Sequence, residues 1–524
     1  MRTLLLAAAC AVALMAASND GARWWSHVQF LADDKLEGRN TGSEGHRQAA
    51  AYVATQFERA GLQPAGTQGY IQPVRFTTRQ IDESASRLEL VRGSAVETLA
   101  LGEDAAINMR SETAPATEAP LVFAGYGLTV PEAQYDDFAG LDVRGKIVVY
   151  LAGGPPSIAG PLNAHYQSGF ERSANFKRLG VVGTIAIANP KSMDIPWARS
   201  SLARLQAAMS LAQPGMDEGG TRIGIAFNPA HADRLLAGTA HSFQEILDLA
   251  NAGKPLPHFA IPAVLRAHVA VKRGEVESQN VAAILPGTDP LLKNEYVVMS
   301  AHIDHLGLGQ PIQGDRIYNG AMDNAAGVAT MLDIVAILRE HKARLRRSLL
   351  FLAVTAEEKG LLGSRFFATH PTVESSHLVA DINTDMFLPL YPLKRLTVYG
   401  LDESDLGDDI RAVAAARGLA VQSDPEPARN SFIRSDQYSF IREGLPAVAL
   451  KDGYLKGTPE EKLFKNWLTE RYHAPSDDLN QPVDRQAAGD FDEFVAALLQ
   501  RVANRDQRPQ WKPTSFFRRF AKVS

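Results

Sequence analysis

The chain has 524 residues, 45% hydrophobic and 22% charged, an ordinary globular composition that excludes a disordered, collagen-like or coiled-coil chain. Its 54 lysines and arginines against 59 aspartates and glutamates give a net charge of −5. Without a basic field, neither nucleic acid nor an anionic membrane surface is an expected partner. Cys10 is the sole cysteine, so disulfide scaffolds, cysteine zinc ribbons, iron–sulfur ligation and redox pairs are excluded, and any bound metal must be held by histidine and carboxylate.

Arg2, the apolar run 4–17 and the polar Ser18, Asn19 and Asp20 read as an export leader cleaved near 16–18; the run is too short to span a bilayer. A buried first helix is the other reading. The leader implies an exported chain, periplasmic or secreted. Residues 43–61 read as an amphipathic helix, with Ala49, Tyr52, Val53, Phe57 and Ala60 at helical spacing and Gly61 closing it. Short β-branched runs at 121–126, 147–151 and 181–187 flank a helical stretch at 170–179, a small α/β unit; the Gly/Pro-rich 215–229 reads as loop. A second α/β series follows, with strands at 281–285, 296–300, 349–355, 378–382 and 447–450 and helices at 324–340, 408–416 and 491–502. Strands alternating with helices predict a mixed, mostly parallel sheet sandwiched by helices.

The chemistry sits where these strands end, at the carboxyl edge at which open α/β sheets place their ligands. Strand 296–300 runs into Ala301, His302, Ile303, Asp304 and His305. His302 and Asp304, two apart in an extended segment, point the same way, so one can ligate a metal while the other orients it; a simple hydrogen-bonded pair is the alternative. Asp323 stands at the start of the 324–340 helix, where an N-cap would suffice. Strand 349–355 ends in Glu357 and Glu358, a like-charge pair that is costly in a cleft unless a cation offsets it. Strand 378–382 leads to Asp385, and a later loop carries Tyr472, His473 and Asp477. Each has a structural reading by itself. Together they present two histidines and several carboxylates, enough for two divalent ions about 3.5 to 4 Å apart.

In order, A-H-I-D-H, M-D-N-A-A-G, A-E-E-K-G-L-L-G-S, N-T-D-M and Y-H-A-P-S-D-D resemble the co-catalytic di-zinc aminopeptidase family, whose relatives include glutamate carboxypeptidase and glutaminyl cyclase. The stretch L-E-G-R-N-T-G-S-E-G resembles the same family's N-terminal segment, and F-A-G-Y-G with G-K-I-V-V-Y is similar to its inserted protease-associated domain. The resemblance implies an α/β fold of the zinc-exopeptidase type carrying that smaller inserted α/β domain. It divides the chain into leader (1–17), N-terminal part of the peptidase domain (18–115), insertion (116–268), zinc peptidase domain (269–510) and tail (511–524). It implies two Zn2+, one on His302 and Asp385, the other on Glu358 and His473, with Asp323 bridging. Glu357 becomes the general base, Asp304 the partner orienting His302, Asp477 the support near His473, and Asp323–Asn324 a cis peptide. Gln437 stands where relatives frequently have histidine, outside the ligand set.

The implied reaction removes N-terminal amino acids from peptides with a free N-terminus, through a di-zinc-activated hydroxide. Tyr472 is a candidate oxyanion donor, with packing as its other reading. Carboxypeptidase and dipeptidase activities on the same fold stay open, as does, from another class, a non-catalytic receptor-like module. A cyclase would need one zinc and leave His302 idle. The near-Walker run Gly140–Lys146 has Ile147 in place of Ser/Thr and leads a strand, and the chain lacks G-x-S-x-G and H-E-x-x-H. Loops 200–220 and 452–468 are the expected pocket walls. Oligomeric state is not legible.

Overall fold

The computed structural model describes residues 20–213, 215, 216 and 220–522; the expected leader lies outside them. Among the described residues a 10-stranded sheet forms the larger unit. Its centre is parallel: Tyr296–His302 pairs with Ser348–Val354 on one side and Leu378–Thr384 on the other, and the latter with Ala447–Asp452. All seven residues of Ser348–Val354 and of Leu378–Thr384 are buried, as a parallel strand covered on both faces requires. The flanks are antiparallel, through Val271–Leu285 with Ile71–Ile81 on one side and Arg395–Tyr399 on the other.

Side-chain alternation divides the core. Val297, Met299, Leu349, Phe351 and Ala353 pack with Val328, Met331 and Val335 of the helix Ala326–Glu340, with Trp24 and Val28 of Ala22–Leu31, and with Phe491 and Val495 of Arg485–Ala503. Val298, Leu350, Leu352 and Val354 face the opposite way, onto Phe367, Tyr438, Phe440 and Trp511. This period of two over apolar strands gives the three-layer sandwich. The stretch Ala321–Glu340 is long and apolar enough to cross a membrane, but 94% of its most apolar window is buried inside the protein, which makes it the core helix of the sandwich. The helix Glu44–Arg59 starts at Ser43, whose hydroxyl accepts from the His46 N–H, and buries Ala49, Val53 and Phe57 in the same layer.

An 8-stranded sheet forms the smaller unit, in the order Ala95–Leu99, Arg87–Arg92, His258–His268, Ala116–Ala124, Ile147–Leu151, Gly183–Ile187, Ile223–Phe227, Ala105–Ile107. The expected boundary at 116 does not coincide with the sheet boundary, because three of these strands precede it. Conversely Ala208–Leu211, inside 116–268, pairs with Ile71–Ile81 in the larger sheet. Nor is 215–229 all loop: Ile223–Phe227 pairs in parallel with Gly183–Ile187, burying Ile223, Ile225 and Phe227 on one face.

Candidate metal centre

Four of the predicted residues leave the ends of adjacent parallel strands and converge. His302 closes Tyr296–His302, Glu357 and Glu358 follow Ser348–Val354, and Asp385 follows Leu378–Thr384. His473 arrives on the loop after the helix Pro459–Glu470. Three of these loops turn through left-handed, non-glycine residues, Ala356, Met386 and His473. Such backbone persists where its surroundings over-determine it, commonly at functional sites.

Asp323 sits at the centre. Its Oδ1 is 3.3 Å from His302 Nε2 and its Oδ2 is 3.2 Å from His473 Nε2. Asp385 Oδ1 lies 3.4 Å from His302 Nε2, and Glu358 Oε2 lies 3.2 Å from His473 Nε2. Tetrahedral zinc with ligands at about 2.0–2.1 Å places those ligands roughly 3.3 Å from one another, so both clusters have the spacing of a zinc coordination shell. The donors are nitrogen and carboxylate oxygen, which suit zinc and other borderline divalent ions. The N-cap reading of Asp323 fails: Asp323 itself is non-helical, and it is Asn324 whose Oδ1 accepts the Gly327 N–H of the first turn, at 2.9 Å. The peptide Asp323–Asn324 is cis.

Two expected supports act differently from the sequence reading. His302 Nδ1 donates to the backbone carbonyl of Asp304 at 3.0 Å, while the Asp304 carboxylate is 3.9 Å away. That carboxylate instead accepts the N–H groups of Glu357 and Glu358, at 3.1 and 3.4 Å, and the Thr41 hydroxyl at 3.1 Å. Asp304 thus ties the first ligand loop to the glutamate turn. Asp477 makes no bond to His473; its carboxylate accepts the N–H groups of Met322 and Asp323 at 2.9 and 3.0 Å and the Gln481 amide at 2.8 Å. It therefore holds Asp323 through its backbone. Gln437 is buried and donates to the Phe432 carbonyl.

The sequence reading gave no role to Arg39 or His305. Arg39 is buried, and its guanidinium donates to the carbonyls of Ile303, Asn319 and Gly320 at 2.8, 2.6 and 3.0 Å, and to that of Leu31. Burial pulls its pKa down to about 10, opposed first by Asp477 and Asp304, so it stays charged beneath the acidic cluster. Arg39→Met would leave these carbonyls unpaired and is expected to cost about 3 kcal/mol or more in urea unfolding. His305, the last letter of A-H-I-D-H, is fully buried with Nδ1 2.8 Å from Glu358 Oε1. Its Nε2 has no hydrogen-bond partner, and with Asp323 and Glu358 the ring forms a second metal-competent trio beside His302, Asp323 and Asp385. Its adjacency in the motif was the available signal.

Burial raises every carboxyl here, and the neighbours decide the outcome. For Asp323 the bonds from His302 and His473 overcome burial and hold it well below the usual range. His473 rises to about 10 against its burial, through Glu358 and Asp323. Burial pushes Glu357 well above the usual range; His302 opposes this, whereas Asp385, Glu358 and Asp436 add to it. A carboxyl with such raised proton affinity has the chemistry a base needs.

Glu357, Glu358 and His473 open onto a cleft of about 690 Å3 between the units, lined also by Gln167 and Phe170 from the smaller unit and by Met209 and Met216 beside the edge of the larger sheet. Part of 200–220 thus lines it as expected. From 452–468, Phe464 and Leu468, on a helix, line a smaller recess of about 40 Å3 beside Asp385.

Residues 280–499 match peptidase family M28. Human carboxypeptidase Q is 22% identical over 367 residues, 68% of this chain and 64% of that protein. A probable leucine aminopeptidase 2 of Aspergillus oryzae is 27% identical over 214 residues, 38% of this chain and 40% of that one. The chain thus spans less than two thirds of either. The solved aminopeptidase from Aneurinibacillus sp. strain AM-1 superposes with a TM-score of 0.57 at 20% identity, covering 95% of this chain and 97% of that one, a likeness of fold. The likeness to peptidase family M28 thus lies in residues 280–499, less than half of the chain, the stretch that carries all five converging side chains.

Proposed function

We propose that the chain is an exported aminopeptidase that works with two zinc ions, one on His302 and Asp385, the other on Glu358 and His473, with Asp323 shared. The observation that carries this reading is the bridging geometry of Asp323, whose two oxygens face histidines from two separate loops at 3.3 and 3.2 Å. Bound zinc supplies Lewis acidity toward the scissile carbonyl and lowers the pKa of water toward about 7. Glu357 accepts a proton from the attacking water and passes it to the departing nitrogen. Tyr472, whose ring lies 4.1 Å from that of His473, donates its hydroxyl proton to the developing oxyanion. Acidic groups close by can also receive the substrate's α-ammonium.

The test is a panel of amino-acid nitroanilides and their N-acetylated counterparts. Hydrolysis of the free-amine compounds alone is expected. Equal turnover of the N-acetylated compounds, or release only of C-terminal residues from peptides, would move the assignment to an endopeptidase or carboxypeptidase. Export rests on the 1–17 segment; N-terminal sequencing of secreted protein should begin near residue 18. The smaller unit is the proposed protease-associated insertion.

A further inference from the structure

The smaller unit reaches the metal centre through one buried charge. Asp194, on the loop after Gly183–Ile187, has a side chain 8% exposed and sits between two arginines of the larger unit. Arg429 Nε donates to its Oδ1 at 2.6 Å, and Arg434 Nη1 to its Oδ2 at 2.8 Å. The other arm of Arg434, Nη2, donates to the Tyr472 phenol oxygen at 3.0 Å. Tyr472 lines both the main cleft and the recess beside Asp385.

This chain has a directional consequence. A guanidinium has donors only, so the Tyr472 proton cannot point at Arg434 and must turn elsewhere, and the cleft is one of the spaces its side chain lines. The cation on the phenol oxygen also draws electron density from the O–H bond, strengthening it as a donor. Arg434 opposes the Asp323, Glu358 and Glu357 charges that act on the same hydroxyl. Asp194 holds that cation in place: Arg429 also has Glu426, 3.4 Å away, and Asp424 as nearby counter-charges, whereas the carboxylate that Arg434 donates to is that of Asp194.

We propose that Asp194 is a positioning residue for catalysis: through Arg434 it orients and polarises the Tyr472 hydroxyl, so that the smaller unit completes the oxyanion site of the larger one. The proposal rests on the reading above in which Tyr472 is the oxyanion donor. The test is a double-mutant cycle on the full, zinc-loaded chain with a free-amine nitroanilide, using Asp194→Asn, Tyr472→Phe and both together, with Arg434→Gln as a second partner should Asp194→Asn fold poorly. Tyr472→Phe is expected to lower kcat by about 10²-fold. Asp194→Asn should lower kcat by about 10-fold with KM and zinc content unchanged, and by less than about 2-fold when Tyr472 is already phenylalanine. An aminoalkyl boronic acid, a mimic of the tetrahedral state, should lose affinity in step with kcat. Equal losses in both backgrounds, or a loss confined to KM, would overturn the proposal while leaving Tyr472 as donor. A neutral Tyr472→Phe would instead remove the donor reading, and this proposal with it.

Discussion

Glu357→Gln is expected to lower kcat by about 10³- to 10⁴-fold while leaving zinc content and KM within a few-fold of wild type. General base catalysis contributes typically about 10²–10⁴, and an amide nitrogen cannot take the water's proton. The change is nearly isosteric, and the residue's backbone anchor survives, since the Glu357 N–H still donates to Asp304 Oδ1. The side chain lies outside both metal-competent trios, so the metals should stay. Steady-state kinetics with metal analysis on the same preparation separates a lost base from a lost ligand. Activity within ten-fold of wild type would remove Glu357 from the mechanism.

Asp323→Asn is expected to fail differently, by losing metal. Asparagine offers one weakly ligating oxygen and no charge, where Asp323 presents one oxygen to each histidine. At least one metal should be lost per chain, and turnover should fall by about 10³-fold or more, both zincs being needed for nucleophile and carbonyl activation. Stability provides a second readout. Asp323, Glu357, Glu358 and Asp385 crowd together, and removing the cations leaves that repulsion relieved by protonated histidines, Arg39 and Lys451. A ligand bound at 1,000 times its dissociation constant stabilises by about 4 kcal/mol, so exhaustive chelation should lower the melting temperature of wild type and zinc should restore it. The same treatment should shift Asp323→Asn much less. Full metal content in Asp323→Asn would contradict the bridging role.

The strands that carry the site were legible because parallel strands buried on both faces are rich in apolar residues: L-L-F-L-A-V ends three residues before Glu357, and L-V-A-D-I-N-T, apolar through Ala380, ends immediately before Asp385. The long antiparallel pair, Ile71–Ile81 with Val271–Leu285, was less visible. Its inward residues Val74 and Phe76 alternate with polar ones such as Arg75, so no apolar run marks it. Ile223–Phe227 was obscured by the glycines and prolines around it. The ligands were recognisable only as an ordered set, since a single His-x-Asp or Glu-Glu also fits a cap or a solvated face. Interactions that orient them could not be read from spacing. Arg39 reaches carbonyls more than 260 residues away, Asp477 acts on backbone N–H groups of Met322 and Asp323, and His302 is held by a main-chain carbonyl, which any residue at 304 would supply. The carboxylate of Asp304 is needed for another partner, the 357–358 turn.

Joint retention of two metal ions by His302, Asp323, Glu358, Asp385 and His473 can be observed directly. Crystals grown with zinc and measured above and below the zinc absorption edge test it directly. Two anomalous peaks are expected about 3.5–4 Å apart, one beside His302 and Asp385, the other beside Glu358 and His473, with an oxygen of Asp323 within about 2.2 Å of each. A single peak, or two peaks that do not share Asp323, would contradict it.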